Sequence, residues 1–143
     1  MKTPLIWLFA ALRIAFGALF VFAGLNDLLH FWQPPAPTTS QSQLFLDGLV
    51  ASGCIFPVLG VVFTISGLFL LANRFVALGL VMLAAPVVVI FSYHAVMEHH
   101  LAGPGLALLI VHLILSWQQR ATFAVLLRPT PAPAVDKLIV ANA

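Results

Sequence analysis

The sequence predicts an all-α membrane protein, a four-transmembrane-helix bundle with its N- and C-termini cytoplasmic. Three observations predict it. Charged residues make up 7% of the 143-residue chain and hydrophobic ones 62%, with a mean hydropathy of +1.11. A soluble domain needs roughly 25% charged residues to cover its surface, so lipid must solvate most of these side chains. Apolar stretches recur four times, three of them at or above the ~20 residues that cross about 30 Å of hydrocarbon. Lysine and arginine fall at one side of the hairpins those stretches would form. The net charge of +2 is too small to point to nucleic acid. The single cysteine, Cys54, excludes an internal disulfide and a CxxC redox pair.

The first span is expected from about Leu5 to Trp32. It is too long for the apolar core of a signal peptide, carries Arg13 within it, and lacks a small-x-small cleavage site. The stretch Pro34-Pro35-Ala36-Pro37 and the polar residues up to Gln43 end it, because paired prolines cannot continue a lipid-facing helix. A short segment from Leu44 to Val50 should lie at the membrane interface. The second span is expected from Ala51 to Leu71, followed by a tight turn at Asn73-Arg74, and the third from Phe75 to Val96, with Pro86 kinking it. Glu98-His99-His100 and Gly103-Pro104-Gly105 separate it from the fourth, Leu106 to Gln118. That span is short, and calls for an extension through Ala121–Leu127 or a thinned bilayer.

Orientation follows from Lys2, Arg74, Arg120, Arg128 and Lys137, which all fall on one side. The opposite loops hold only Asp47 and Glu98. The positive-inside rule puts the first set in the cytoplasm. Packing follows from small residues. Gly53, Pro57, Gly60, Thr64 and Gly67 recur every three or four residues, and Gly17 and Gly24 do the same on the first span. Each set marks a face where another helix approaches closely.

Ionisable groups within spans usually face the bundle interior and pair with something. Asp27 and His30 lie one turn apart, His94 and Glu98 stand at i and i+4, and His112 lies slightly deeper. Three readings follow. Asp27, His112 and Arg13 are expected to form structural polar ties between helices. A histidine with a carboxylate suits a quinone headgroup, which needs a group titrating near neutrality. His30, His94 and His112 are candidate ligands for haem or chlorin, since imidazole is a common axial ligand. No HxxxH or HExxH spacing supports a metal site, and no nucleophile constellation supports a catalytic one. Ser66 and Ser92 should bond back to carbonyls one turn earlier.

The runs "LRIAFGALFVFAGLNDLLHF", "LVASGCIFPVLGVVFTISGLFLLANRFVALGLVMLAAP", "FSYH" and "GPGLALLIVHLILSW" resemble the DoxX family of small four-helix bacterial membrane proteins. "NRFVALGL" is the most specific part, and the resemblance extends nearly to Arg128. It implies a four-helix membrane domain over 1–128 in the bacterial cytoplasmic membrane, associated with quinone-linked oxidoreductases or with redox partners. The chain departs from the family's polar pattern at four places: Asp27 where a Lys is usual, Phe63 for a Glu, Val89 or its neighbour for an Asn, and His112 for a Glu. A Lys–Glu pair across helices would become an Asp27–His112 pair with the charges exchanged. The functional expectation is an accessory subunit of a larger redox or energy-transducing membrane complex, in contact with lipid and other subunits. A quinone-linked oxidoreductase subunit and a haem- or chlorin-binding protein are the alternatives. Residues 129–143, "PTPAPAVDKLIVANA", form a Pro/Ala-rich tail that should fray by itself. Order there would imply a neighbouring subunit holding Leu138-Ile139-Val140.

Overall fold

A long, mostly apolar run whose one proline, Pro4, stands in the first turn lets the first helix, α1, extend over Thr3–Leu29. In the computed structural model, which describes residues 3–126, it is followed by α2 (Ser40–Ala51), α3 (Ile55–Leu71), α4 (Val76–Ser92), α5 (Pro104–Gln118) and α6 (Arg120–Leu126). A π-helical turn, Tyr93–Met97, continues α4. The described chain is helical throughout its regular structure. Leu5–Leu29 and Val76–Met97 are long and apolar enough to cross a membrane. α2 and α3, bent by 89° at their junction, supply a third crossing if the pair is one broken span. α5 is apolar but has only 15 residues. The tail and its Leu138-Ile139-Val140 lie outside the described residues, as do the side chains of Lys2, Arg128 and Lys137.

Several helix ends differ from the expected spans. α1 stops at Leu29, not Trp32, because His30 takes a left-handed conformation (φ 53°) and the Asn26 side chain accepts the Trp32 amide at 2.7 Å. The segment after the prolines is a full helix, α2, whose start is fixed by Thr39 and Ser42. Each hydroxyl accepts a hydrogen bond from the other residue's amide, a reciprocal capping box. α3 starts at Ile55, not Ala51. Gly53 was expected on the packing face, but it lies in the α2–α3 turn at φ 64° with no atom near where a Cβ would stand. Its role is conformational: glycine adopts that backbone without a steric cost. At the far end of α3 the Asn73 and Arg74 amides bond the Leu70 and Phe69 carbonyls, with Asn73 left-handed, which closes the helix as a Schellman motif.

α1 and α3 pack closely along most of their length and run antiparallel. A Cβ on Gly24 would lie 2.5 Å from the Thr64 hydroxyl and 2.6 Å from the Gly60 carbonyl; one on Gly67 would lie 2.6 Å from the Gly17 carbonyl. The small residues let the two backbones touch. α4 packs on α3 and α5 on α4, where Gly105 meets the Phe91 and Ile90 backbone. Phe16, Phe20, Phe63, Leu70, Leu83 and Leu115 form the centre. Phe20 meets Phe16 and Phe63 edge-to-face, at 4.9 and 5.1 Å between centroids. The outer surface is apolar too: Trp7 and Trp117 are each more than 70% exposed. Such a surface suits lipid better than water.

This topology segregates charge. Arg74 lies in the α3–α4 turn and Arg120 follows α5, both at the end of the bundle where α1 begins. Asp47 and Glu98 lie at the opposite end, which we call the α2 end.

Candidate functional site

Beneath α2, a cavity of about 450 Å³ opens between α1, α3, α4 and the cover that α2 provides. Its walls are apolar except for Asp27 from α1 and Tyr93 and His94 from the π turn. α2 contributes Phe45, Leu46 and Leu49, α3 contributes Leu59 and Phe63, and α4 contributes Pro86 and Val89. An apolar pocket with a few convergent polar groups is the usual form of a small-molecule site.

The histidine in this pocket has a defined tautomer. The His94 Nδ1 lies 2.9 Å from the Ile90 carbonyl oxygen, which only accepts, so Nδ1 carries the proton in the neutral ring. Nε2 is left as an acceptor. The Tyr93 ring packs edge-on against His94 at 5.3 Å, and its hydroxyl donates to Glu98 Oε1 at 3.3 Å. Asp27 also borders a second cavity, of about 460 Å³, with Asn26, His30, Trp32 and Gln33. Among the described residues, no hydrogen-bond donor reaches the Asp27 carboxyl.

The expected polar ties are distributed differently. His112 does not meet Asp27. It is buried beside Phe16, with ring centroids 6.2 Å apart, and its Nδ1 has no partner among the described residues. Phe16 and Asp27 are eleven positions apart on α1, roughly 16 Å at 1.5 Å per residue. The proposed exchange of a Lys–Glu pair for an Asp–His pair therefore fails on depth. His30, left-handed at the end of α1, borders the second cavity together with Asp27, but no hydrogen bond joins the two among the described residues. Arg13 does tie two helices, but through the backbone: its guanidinium donates to the Leu70 carbonyl in the last turn of α3. A cation there satisfies an end carbonyl and complements the helix dipole. Ser92 bonds back to the Val88 carbonyl at 2.9 Å, whereas the buried Ser66 hydroxyl, expected to do the same, has no partner among the described residues.

His94 and Glu98, expected to share a helix face, are separated by the π turn. Its wider winding is seen in the Glu98 amide bonding the Tyr93 carbonyl five residues back, at 3.1 Å. Glu98 is consequently directed away from the histidine. Its two carboxylate oxygens accept the Thr38 amide, each at 3.2 Å, and one accepts the Thr38 hydroxyl. The Thr39 hydroxyl adds a bond to the Met97 carbonyl at 2.8 Å. Glu98 is buried, 8% exposed. The neighbouring Ser42 hydroxyl first, and then the Thr38 hydroxyl and amide, hold its carboxyl down at about 2.

Sequence reasoning missed Thr38, Thr39, Ser42 and Tyr93. The Thr-x-x-Ser spacing ahead of an apolar run was the one available signal, and it marks the cap but not the contact with Glu98. His30, His94 and His112 do not converge: His94 borders the first cavity, His30 the second, and His112 neither. No family model matches the chain, and neither a curated protein nor a solved structure matches it significantly.

Proposed function

We propose that this chain is a DoxX-type accessory subunit of a bacterial membrane redox complex, and that its cavity binds a quinone headgroup. The observation that carries this is the cavity under α2, apolar but for Asp27, Tyr93 and His94. Its volume suits a single substituted ring with part of an isoprenoid tail. A quinone would supply reversible two-electron chemistry and two ring oxygens. The chain's own residues bind and orient: His94 Nε2 accepts from a ring hydroxyl, and the Asp27 carboxyl offers a second hydrogen-bonding partner from another helix. The DoxX resemblance supports the same place, since three of the four positions where the chain departs from the family pattern, Asp27, Phe63 and Val89, border this cavity.

In this reading α3 and α5 complete a four-span bundle with α1 and α4, despite the shortness of α5. The arginine end faces the cytoplasm and the α2 end faces outward. Accessory status rests on the scarcity of chemistry in the site, which holds binding groups and no nucleophile. The test is equilibrium binding of a short-chain benzoquinol, held reduced, to the protein in lipid nanodiscs, by calorimetry. Saturable binding is expected, weakened about tenfold by His94→Phe, the loss of one ring hydrogen bond in an apolar site. No saturation, or an unchanged affinity in His94→Phe and Asp27→Leu alike, overturns the reading.

A further inference from the structure

We infer that α2 is a hinged cover over the cavity and that Glu98 is the catch that holds it shut. This rests on the cavity being a ligand site, and adds how a ligand gains entry. The helix has the anatomy of a cover. Phe45, Leu46 and Leu49 form part of the cavity wall, so displacing α2 opens it. At its C-terminal side α2 joins α3 through a turn at 89°, with Gly53 at φ 64° and open space around it, which leaves the backbone there free to rotate. The helix holds its own shape, because the Thr39–Ser42 capping box is internal to it and survives movement as a unit.

What fastens the other end is concentrated in one side chain. Beyond its packing on α3 and the π turn, α2 and the loop before it are held by bonds from Thr38 to Glu98 and from Thr39 to the Met97 carbonyl. The ring of Phe45 also meets Tyr93, at 5.9 Å. Glu98 is buried without a cationic partner among the described residues; the Tyr93 hydroxyl stays with it on the π turn, but the Thr38 amide and hydroxyl leave together when the cover lifts. The same Tyr93 that donates to the catch borders the cavity, which joins the two sites through one ring. Glu98 is thus a positioning residue: it acts on the ligand site through α2 and does not reach the ligand.

Hydrogen exchange in nanodiscs tests the cover without any ligand. In Glu98→Ala the amides of α2 should exchange at least tenfold faster than in the unaltered protein, while those of α1 and α3 keep their protection. Unchanged exchange in α2 overturns the proposal, and so does a uniform rise across all helices, which would make Glu98 a general stabiliser. Thr38→Val, which removes one hydroxyl donor and spares the carboxylate, should give a smaller rise confined to α2. Stopped-flow association of the short-chain benzoquinol supplies the second readout, with a several-fold faster on-rate expected in Glu98→Ala. If the quinol binds neither protein while α2 alone loosens, the ligand assignment falls and the cover stands. If it binds both at one rate with α2 equally protected, the cover falls and the ligand assignment stands.

Discussion

Gly24 and Gly48 are the same residue type in helices, yet their surroundings give them opposite consequences. At Gly24 a methyl would meet the Thr64 hydroxyl at 2.5 Å and backbone atoms of α3 at 2.6 Å, none of which can move without parting the helices. At Gly48 no atom lies within 4 Å. Gly24→Ala should therefore destabilise by about 1–3 kcal/mol, in the range for overpacking. Gly48→Ala should stabilise α2 by about 0.5–1 kcal/mol, since alanine is the better helix former. Thermal unfolding of both variants in one detergent checks the contrast, and equal midpoints would refute it. The spacing of Gly60, Thr64 and Gly67 was enough to find this face, because close helix approach depends on side-chain size at regular intervals. Gly53 has the same spacing and a different role. Spacing extrapolates a helix backwards, and only the left-handed turn at Gly53 reveals that the helix has already ended.

At the scale of elements, α2 and the π turn were the least legible parts. The pairing of Glu98 with Thr38 spans sixty positions of sequence, and nothing local to either residue announces it. A π turn shifts register by one residue, which converts the expected His94–Glu98 pair into two residues with separate partners. The same pairing has a pH signature. Glu98 titrates at about 2 in the folded chain against an ordinary 4.5. As pH falls, the unfolded chain takes up this proton first, so the contribution of Glu98 is full above about 4.5 and is lost between there and about 2. The exchange protection of α2 should accordingly fall with acidification through that window. In Glu98→Gln, which cannot titrate, the protection should not change across it. A parallel decline in both proteins would assign the effect to another carboxylate.

For the whole molecule, the apolar class and helical content follow from composition, and the lengths of α1 and α4 from long, mostly apolar runs. Depth across the bundle was harder to read. Asp27 and His112 were matched as an exchange of the Lys–Glu pair that the resemblance implies, and the eleven positions from Asp27 to the Phe16 that packs on His112 show the error. Charge segregation is the feature with global reach. Arg74 and Arg120 share one end and Asp47 and Glu98 the other, the asymmetry on which the proposed orientation rests. A reporter active only outside the cytoplasm should work when inserted near Ser40 and fail when fused after Val140. The reverse pattern would invert the protein in the membrane.

The right angle between α2 and α3 has a mechanical consequence. If α3 follows the membrane normal, as the proposed four-span bundle has it, α2 would lie flat among the lipid headgroups, where a 12-residue helix occupies roughly 18 Å by 10 Å. Lifting it out of that layer changes the area the protein takes up there, so lateral pressure does work on the movement. Tightly packed headgroups would squeeze the helix out of their plane, and stretched or loosely packed ones would readmit it. Access to the cavity would then follow the tension and composition of the surrounding lipid, with no change in any residue of the chain.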